Sequence, residues 1–186
     1  MLHGFLVGLT GAKRILEIAQ RRQGGVDEIT GHKPVVFLEL GENFAQAARQ
    51  NFVDAGLEDY IEVIVGDANE SLATLENMTF DIAFVDADKT SYRYYYDAIL
   101  EKDMLSKSSL IIADNTTFTS VTTYLGAPTP VTEDAKPIDI RHRAWMHSPE
   151  ISVALHEFNE YVRHDSCTEA VMLPLFTGIP LIRRIA

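Results

Sequence analysis

The side chains best suited to chemistry sit at the ends of two apolar runs, Phe80-Asp-Ile-Ala-Phe-Val-Asp-Ala-Asp-Lys89 and Leu110-Ile-Ile-Ala-Asp-Asn115. Each run reads as a buried strand that stops abruptly on carboxylate or amide groups. In an open parallel sheet, ligands bind just beyond the carboxyl ends of the strands. Asp86, Asp88, Asp114 and Asn115 are therefore expected in one crevice, with Lys89 beside them. Oxygen donors gathered in this way suit a hard divalent cation such as Mg²⁺. A single acid of this kind would more simply end a strand and cap the next helix. Two strand exits bearing D-x-D-K and D-N favour the functional alternative.

The elements that must position these residues follow from the hydrophobic pattern. Residues 2–9 read as a buried helix or half-helix. Gly11 to Ile18 fits either a short strand (Ile15, Leu16, Ile18) or a helix striped by Ala12, Ile15, Leu16 and Ala19. Residues 19–34 are polar and read as a helix end plus loop. Val35-Val-Phe-Leu-Glu-Leu40 is a buried strand, and a helix over about 42–55 stacks Phe44, Ala48 and Phe52 before closing at Gly56. Ile61 to Val65 is the next strand, ending on Gly66-Asp67-Ala68, with a short helix over 70–75 behind it.

The second half continues the alternation. A helix over about 91–100 carries Tyr92, Tyr94, Tyr95 and Tyr96, rings that cover more than one face and read mainly as packing. After the Leu110 strand, residues 116–147 form a long stretch without periodicity, interrupted by Pro128, Pro130 and Pro137. His142, Trp145 and His147 lie within it and could contact an aromatic substrate, although a surface lid with incidental histidines explains them as well. Ser148-Pro149-Glu150 starts a helix with Ile151, Leu155, Phe158 and Val162 on its apolar side. Two strands, 168–175 and 180–185, close the chain as a hairpin. The pattern predicts one doubly wound α/β domain over residues 1–186, with a mostly parallel sheet and an antiparallel C-terminal hairpin.

Bulk properties narrow the function classes. A formal net charge of −11 provides no excess of basic side chains to neutralise phosphates, which argues against a nucleic-acid partner. The one cysteine, Cys167, forms no intrachain disulfide, and the apolar opening Met1 to Leu9 is short and lacks the basic region of a signal peptide. No run approaches the ~20 apolar residues of a membrane span. A cytoplasmic protein is expected.

Taken together, the chain resembles the small, cation-dependent O-methyltransferases that use S-adenosylmethionine, of the catechol and caffeoyl-CoA type. The resemblance is carried by Leu9-Thr-Gly-Ala-Lys-Arg-Ile-Leu-Glu-Ile18, Leu38-Glu-Leu40, Gly66-Asp-Ala68, Phe80 to Lys89, Ala113-Asp-Asn115 and Gly178-Ile-Pro-Leu-Ile-Arg-Arg-Ile185. It implies a Rossmann-like, seven-stranded sheet with the last strand antiparallel. It also implies Asp86, Asp114 and Asn115 as ligands of Mg²⁺ or another divalent cation, and Lys89 as the general base for a substrate hydroxyl. Glu39 would accept from the cofactor's ribose, Gly66, Asp67 and Ala68 would line its adenine, Asp88 would face its amino-acid end, and Asp86 would border it too. The expected acceptor is a small aromatic, catechol-like hydroxyl, and a lysine serving as its base must be neutral, which a nearby cation and partial burial promote.

The sequence departs from that family in three places. Ala19-Gln-Arg-Arg22 stands where the family carries a glycine-rich turn, and Gly24-Gly25 follows too late to replace it. The chain begins about where the family's first core helix does. Thr177 occupies a place where an aspartate is usual. Three readings stay open: a working O-methyltransferase, the same fold used for a cyclase or isomerase of secondary metabolism, and a non-catalytic relic. The apolar residues Leu2, Phe5, Leu6 and Leu9 suggest self-association as a homodimer.

Overall fold

In the computed structural model, residues 2–19, 35–117, 149–175 and 177–185 are described. Seven strands form one sheet: β1 (Ile15–Ala19), β2 (Val35–Glu39), β3 (Ile61–Val65), β4 (Phe80–Asp86), β5 (Leu105–Ala113), β6 (Thr168–Leu173) and β7 (Ile179–Arg184). Their order is β3-β2-β1-β4-β5-β7-β6, with β7 antiparallel to both neighbours and the other contacts parallel. The α-helices among the described residues are α1 (Leu2–Thr10), α2 (Glu42–Asp54), α3 (Ala68–Thr74), α4 (Tyr92–Glu101) and α5 (Pro149–His164). This is the doubly wound arrangement expected from the sequence, with the antiparallel hairpin at its end.

The central strands are apolar at nearly every position because both faces are covered. Every residue of β1 and β2 is buried. Leu16, Ile18, Val36, Leu38, Ala83, Val85 and Ile111 face a core shared with Tyr92, Tyr96, Leu155 and Phe158 from α4 and α5. On the opposite face, Ile15, Val35, Ile82 and Ile112 pack with Leu6 of α1, and Ala19 and Phe37 pack with Ala48 and Phe52 of α2.

The structure resolves or corrects several expectations. Residues 15–19 are strand, because Ile15 to Ala19 pair on both sides, with Val35 to Glu39 and with Ile82 to Asp86. The buried stripe of α2 is Ala45, Ala48 and Phe52; Phe44 is 38% exposed and turned off it. Of the four tyrosines on α4, Tyr94 alone is an exposed ring. Among the apolar residues of α1, Leu6 is buried while Phe5 and Leu9 are exposed.

Strand β5 begins at Leu105, not Leu110. Its register against β4 jumps from Phe80↔Leu105 to Ile82↔Leu110, so Ser106-Lys-Ser-Ser109 form an irregular polar stretch. Asp81 holds this stretch in place by accepting hydrogen bonds from Ser106 Oγ (2.7 Å) and from the backbone N–H of Lys13 (2.6 Å) and Arg14 (3.0 Å). Burial alone would raise the Asp81 carboxyl, but those three donors outweigh it and hold its pKa below the ordinary value.

Candidate active site

The sheet reverses direction of growth between β1 and β4, which opens a crevice at their carboxyl ends. The register brings the exits level: Ala19 lies beside both Glu39 and Asp86, Glu39 beside Val65, and Val85 beside Ala113. Sequence reasoning placed the chemistry at these exits, and the topology brings them to one edge.

Lys89 sits at the centre of the oxygens from β4 and β5. The chain leaves β4 at Asp86 and makes a 3₁₀ turn over Lys89–Ser91, which carries the lysine back over the strand ends. Its Nζ donates to Asp86 Oδ1 (2.9 Å) and lies 3.2 Å from the Asp114 carbonyl and 3.4 Å from Asn115 Oδ1. It also contacts the Tyr92 hydroxyl. Asp86 and Lys89 are both buried, so their charges are mutually compensated away from bulk water. Among these contacts of Lys89, the nearest charged side chain is the Asp86 carboxylate.

Asn115 is held in an orientation that serves the same centre. Its φ of 62° is left-handed, a conformation that costs a non-glycine residue about 1 kcal/mol. Its backbone N–H donates to Asp114 Oδ1 at 2.7 Å, and its Nδ2 donates to Thr177 Oγ1. With the amide nitrogen committed to Thr177, the amide oxygen is the atom turned toward Lys89. Thr177, singled out in the sequence as a departure, therefore fixes the Asn115 side chain. Asp114 contributes its carbonyl to the lysine, while its carboxylate caps Asn115.

Among the described residues no three His, Cys, Asp or Glu side chains form a cluster able to hold a metal ion. The candidate set is two aspartates and an amide. All its donors are oxygen, the chemistry a hard cation prefers, and part of the set already surrounds a positive charge on Lys89.

The exits of β2 and β3 form the other half of the crevice. Glu39 is 1% exposed, which rules out the bland alternative of a solvated strand-end charge. Its Oε1 accepts from Gly41 N–H at 2.9 Å, and its carbonyl accepts from Gly66 N–H at 3.0 Å. Gly66 has φ +150°, which favours glycine. Asp67 caps α3 by accepting from Asn69 N–H (2.7 Å), and Ala68 is the first helical residue. Asp88 accepts from Ser91 Oγ (2.8 Å) and from Thr90 Oγ1, closing the turn that carries Lys89. Burial raises the Tyr95 phenol above its ordinary pKa, with Asp88 and Asp67 adding to the rise against a lowering bond with Ser91. Asp67 and Asp88 thus act on one ring from two different strand exits.

Two buried polar residues, one of the central strands and one of α4, escaped sequence reasoning. Glu17 is a carboxylate 8% exposed in mid-sheet, paired with Phe84 in register; its only signal was an acid inside an apolar run. Tyr92 was counted as packing. The glycine-poor stretch after Ala19, Gly24-Gly25, His142, Trp145 and His147 lie outside the described residues, apart from Ala19, which is buried. An open cavity of about 550 Å³ between the C-terminal ends of α4 and α5, lined by Asp97, Tyr161 and Asp165 among others, contains none of the candidate residues.

Comparison with known proteins gives the family and the fold. A family model described as O-methyltransferase matches residues 2–185. The chain is 27% identical over 186 residues to the O-methyltransferase ankF of Aspergillus thermomutatus, covering 96% of this chain and 74% of that one. It is 36% identical over 116 residues to a catechol O-methyltransferase of Mycobacterium tuberculosis, covering 59% of this chain and 51% of the relative. Among solved structures, the SAH-bound methyltransferase PaMTH1 of Podospora anserina superposes with a TM-score of 0.77 at 27% identity, covering all of this chain and 77% of its own.

Proposed function

The chain belongs to the O-methyltransferase family, and from that premise we propose that it transfers the methyl group of S-adenosylmethionine to a hydroxyl of a small, catechol-like aromatic, aided by Mg²⁺ or another divalent cation. The observation that carries this reading is the convergence of Asp86 Oδ1 and Asn115 Oδ1 on the amine of Lys89, at the switch point of the sheet. A relic under no demand for chemistry has no reason to keep a buried lysine, two strand-end acids and a left-handed asparagine in one cluster.

When bound, S-adenosylmethionine supplies an electrophilic methyl group, and a divalent cation supplies a Lewis acid for the substrate's hydroxyls. Asp86, Asp114 and Asn115 are the residues that would hold the cation. Glu39 accepts hydrogen bonds from the ribose diol, because a buried carboxylate at a strand exit matches vicinal hydroxyls. The backbone of Gly66, Asp67 and Ala68 lines the adenine, and Asp88 and Asp86 border the amino-acid end. Lys89 Nζ takes the proton of the attacking hydroxyl. It can do so only as the free amine. The remaining catalysis is alignment of oxygen and methyl carbon. We take the chain as one domain working in the cytoplasm. Phe5 and Leu9, 65% and 69% exposed on α1, support a homodimer.

Titration calorimetry tests the cofactor half of this reading. The unsubstituted chain should bind S-adenosylmethionine, and Glu39→Ala should weaken binding about 30-fold, the effect of losing charge-assisted hydrogen bonds worth about 2 kcal/mol. No heat at millimolar ligand, or equal affinity in the variant, would count against it.

A further inference from the structure

We infer that Tyr92 is a positioning residue, whose phenolic oxygen holds the Lys89 amine at the junction of β4 and β5. The inference rests on the reading of Lys89 as the proton acceptor and adds a residue to it. Tyr92 is 1% exposed and begins α4, one 3₁₀ turn after the lysine. Its ring packs edge-on against Phe158, with centroids 5.6 Å apart, and the lysine nitrogen lies 4.6 Å from its own centroid. The hydroxyl lies 2.8 Å from the Asp114 carbonyl and 3.1 Å from the Val85 carbonyl, and it contacts Lys89 Nζ.

A phenol has one proton to donate and lone pairs to accept with, whereas an ammonium only donates. The tyrosine proton therefore goes to a carbonyl, Asp114 being the nearer, and the lysine donates to the tyrosine oxygen. One hydroxyl thus ties the main chain at the exit of β5 to the side chain that leaves β4. Lysine reaches its position through a flexible stem, and the ring that anchors it is rigid and buried. Of the side chains that hold the amine, Asp86 and Asn115 belong to the proposed cation set. Tyr92 does not, so it keeps hold of the lysine when those two are engaged elsewhere.

The test uses Tyr92→Phe, which keeps the ring and its packing. With catechol as acceptor, kcat should fall about 10-fold, the effect of one hydrogen bond, with the dissociation constant of S-adenosylmethionine unchanged. Introduced into Lys89→Met, the same substitution should produce no further loss, because its effect passes through the lysine. Independently of turnover, acylation of Lys89 by an N-hydroxysuccinimide ester, measured by peptide mass spectrometry relative to Lys102, should rise several-fold once the hydroxyl is gone. Unchanged kcat and acylation, an equal loss in the Lys89→Met background, or collapse of the folded state in Tyr92→Phe would each overturn the inference while the methyltransferase reading stands. An unsubstituted chain that binds no S-adenosylmethionine and methylates no catechol would overturn both.

Discussion

Lys89→Met is expected to lower kcat for catechol methylation about 1,000-fold, within the range that a positioned general base contributes, while S-adenosylmethionine binds as before. The two effects separate because Lys89 belongs to the β4–β5 half of the crevice and Glu39 to the β2 half. The substitution also leaves the Asp86 carboxylate, 7% exposed, without its ammonium. Removing one partner of a buried ion pair costs about 3 kcal/mol, or roughly 10 °C of melting temperature for a chain of this size. Kinetics at 20 °C, with folding checked by circular dichroism, distinguish loss of the base from loss of the fold. A variant that keeps its kcat removes Lys89 from the chemistry.

Gly178→Ala should produce a loss of stability of similar size, from steric overlap and backbone strain rather than charge. Gly178 has φ +79°, and a Cβ built there would lie 2.1 Å from Thr117 Oγ1, 2.7 Å from its Cγ2 and 2.8 Å from its Cβ. The last of these moves only with the backbone. That backbone is pinned on both sides: Thr116 N–H donates to the Gly178 carbonyl (3.1 Å), Thr117 N–H to the Thr177 carbonyl (2.8 Å), and Gly178 N–H to the Leu175 carbonyl (2.9 Å). Left-handed backbone strain plus overpacking come to about 3 kcal/mol. Because Thr177 also fixes the Asn115 amide, catechol turnover should drop further than stability alone explains. Adding Thr117→Gly removes all three clashing atoms and should recover the steric part but not the backbone part. Thermal melts of the two variants check this, and identical melting points for Gly178→Ala and the unsubstituted chain would refute it.

What could be read in advance depended on whether one residue or an arrangement carried the signal. Val35 to Glu39 and Phe80 to Asp86 were legible because strands covered on both faces are apolar almost throughout. Ile15 to Ala19 was ambiguous because five such residues fit either period, and only pairing to β2 and β4 decides. The first half of β5 was hidden by Ser106-Lys-Ser-Ser109, a polar run at a register irregularity that leaves Lys107 and Ser108 exposed while Ser109 stays buried. On α2, stripes through Phe44 and through Ala45 both satisfy helical spacing, and the structure buries the smaller residue.

The candidate site was legible as a set of strand exits and illegible as a set of contacts. Acids at strand ends announced Asp86, Asp114 and Glu39, but nothing in the letters says that Glu39 is buried or that Lys89 turns back onto Asp86. Tyr92 was lost among four tyrosines in five positions, since its role depends on a hydroxyl meeting two carbonyls from different strands. Thr177 was visible only as an unexpected residue. Its bond to Asn115, 62 positions away in sequence, gives that departure a structural meaning.

The most direct test is crystallographic. Crystals grown with Mn²⁺ and S-adenosylhomocysteine, measured at the manganese absorption edge, should show one anomalous peak within about 2.0–2.6 Å of side-chain oxygens of Asp86, Asp114 and Asn115. A bound cofactor product accompanied by no peak there, or by a peak on other residues, would contradict the account.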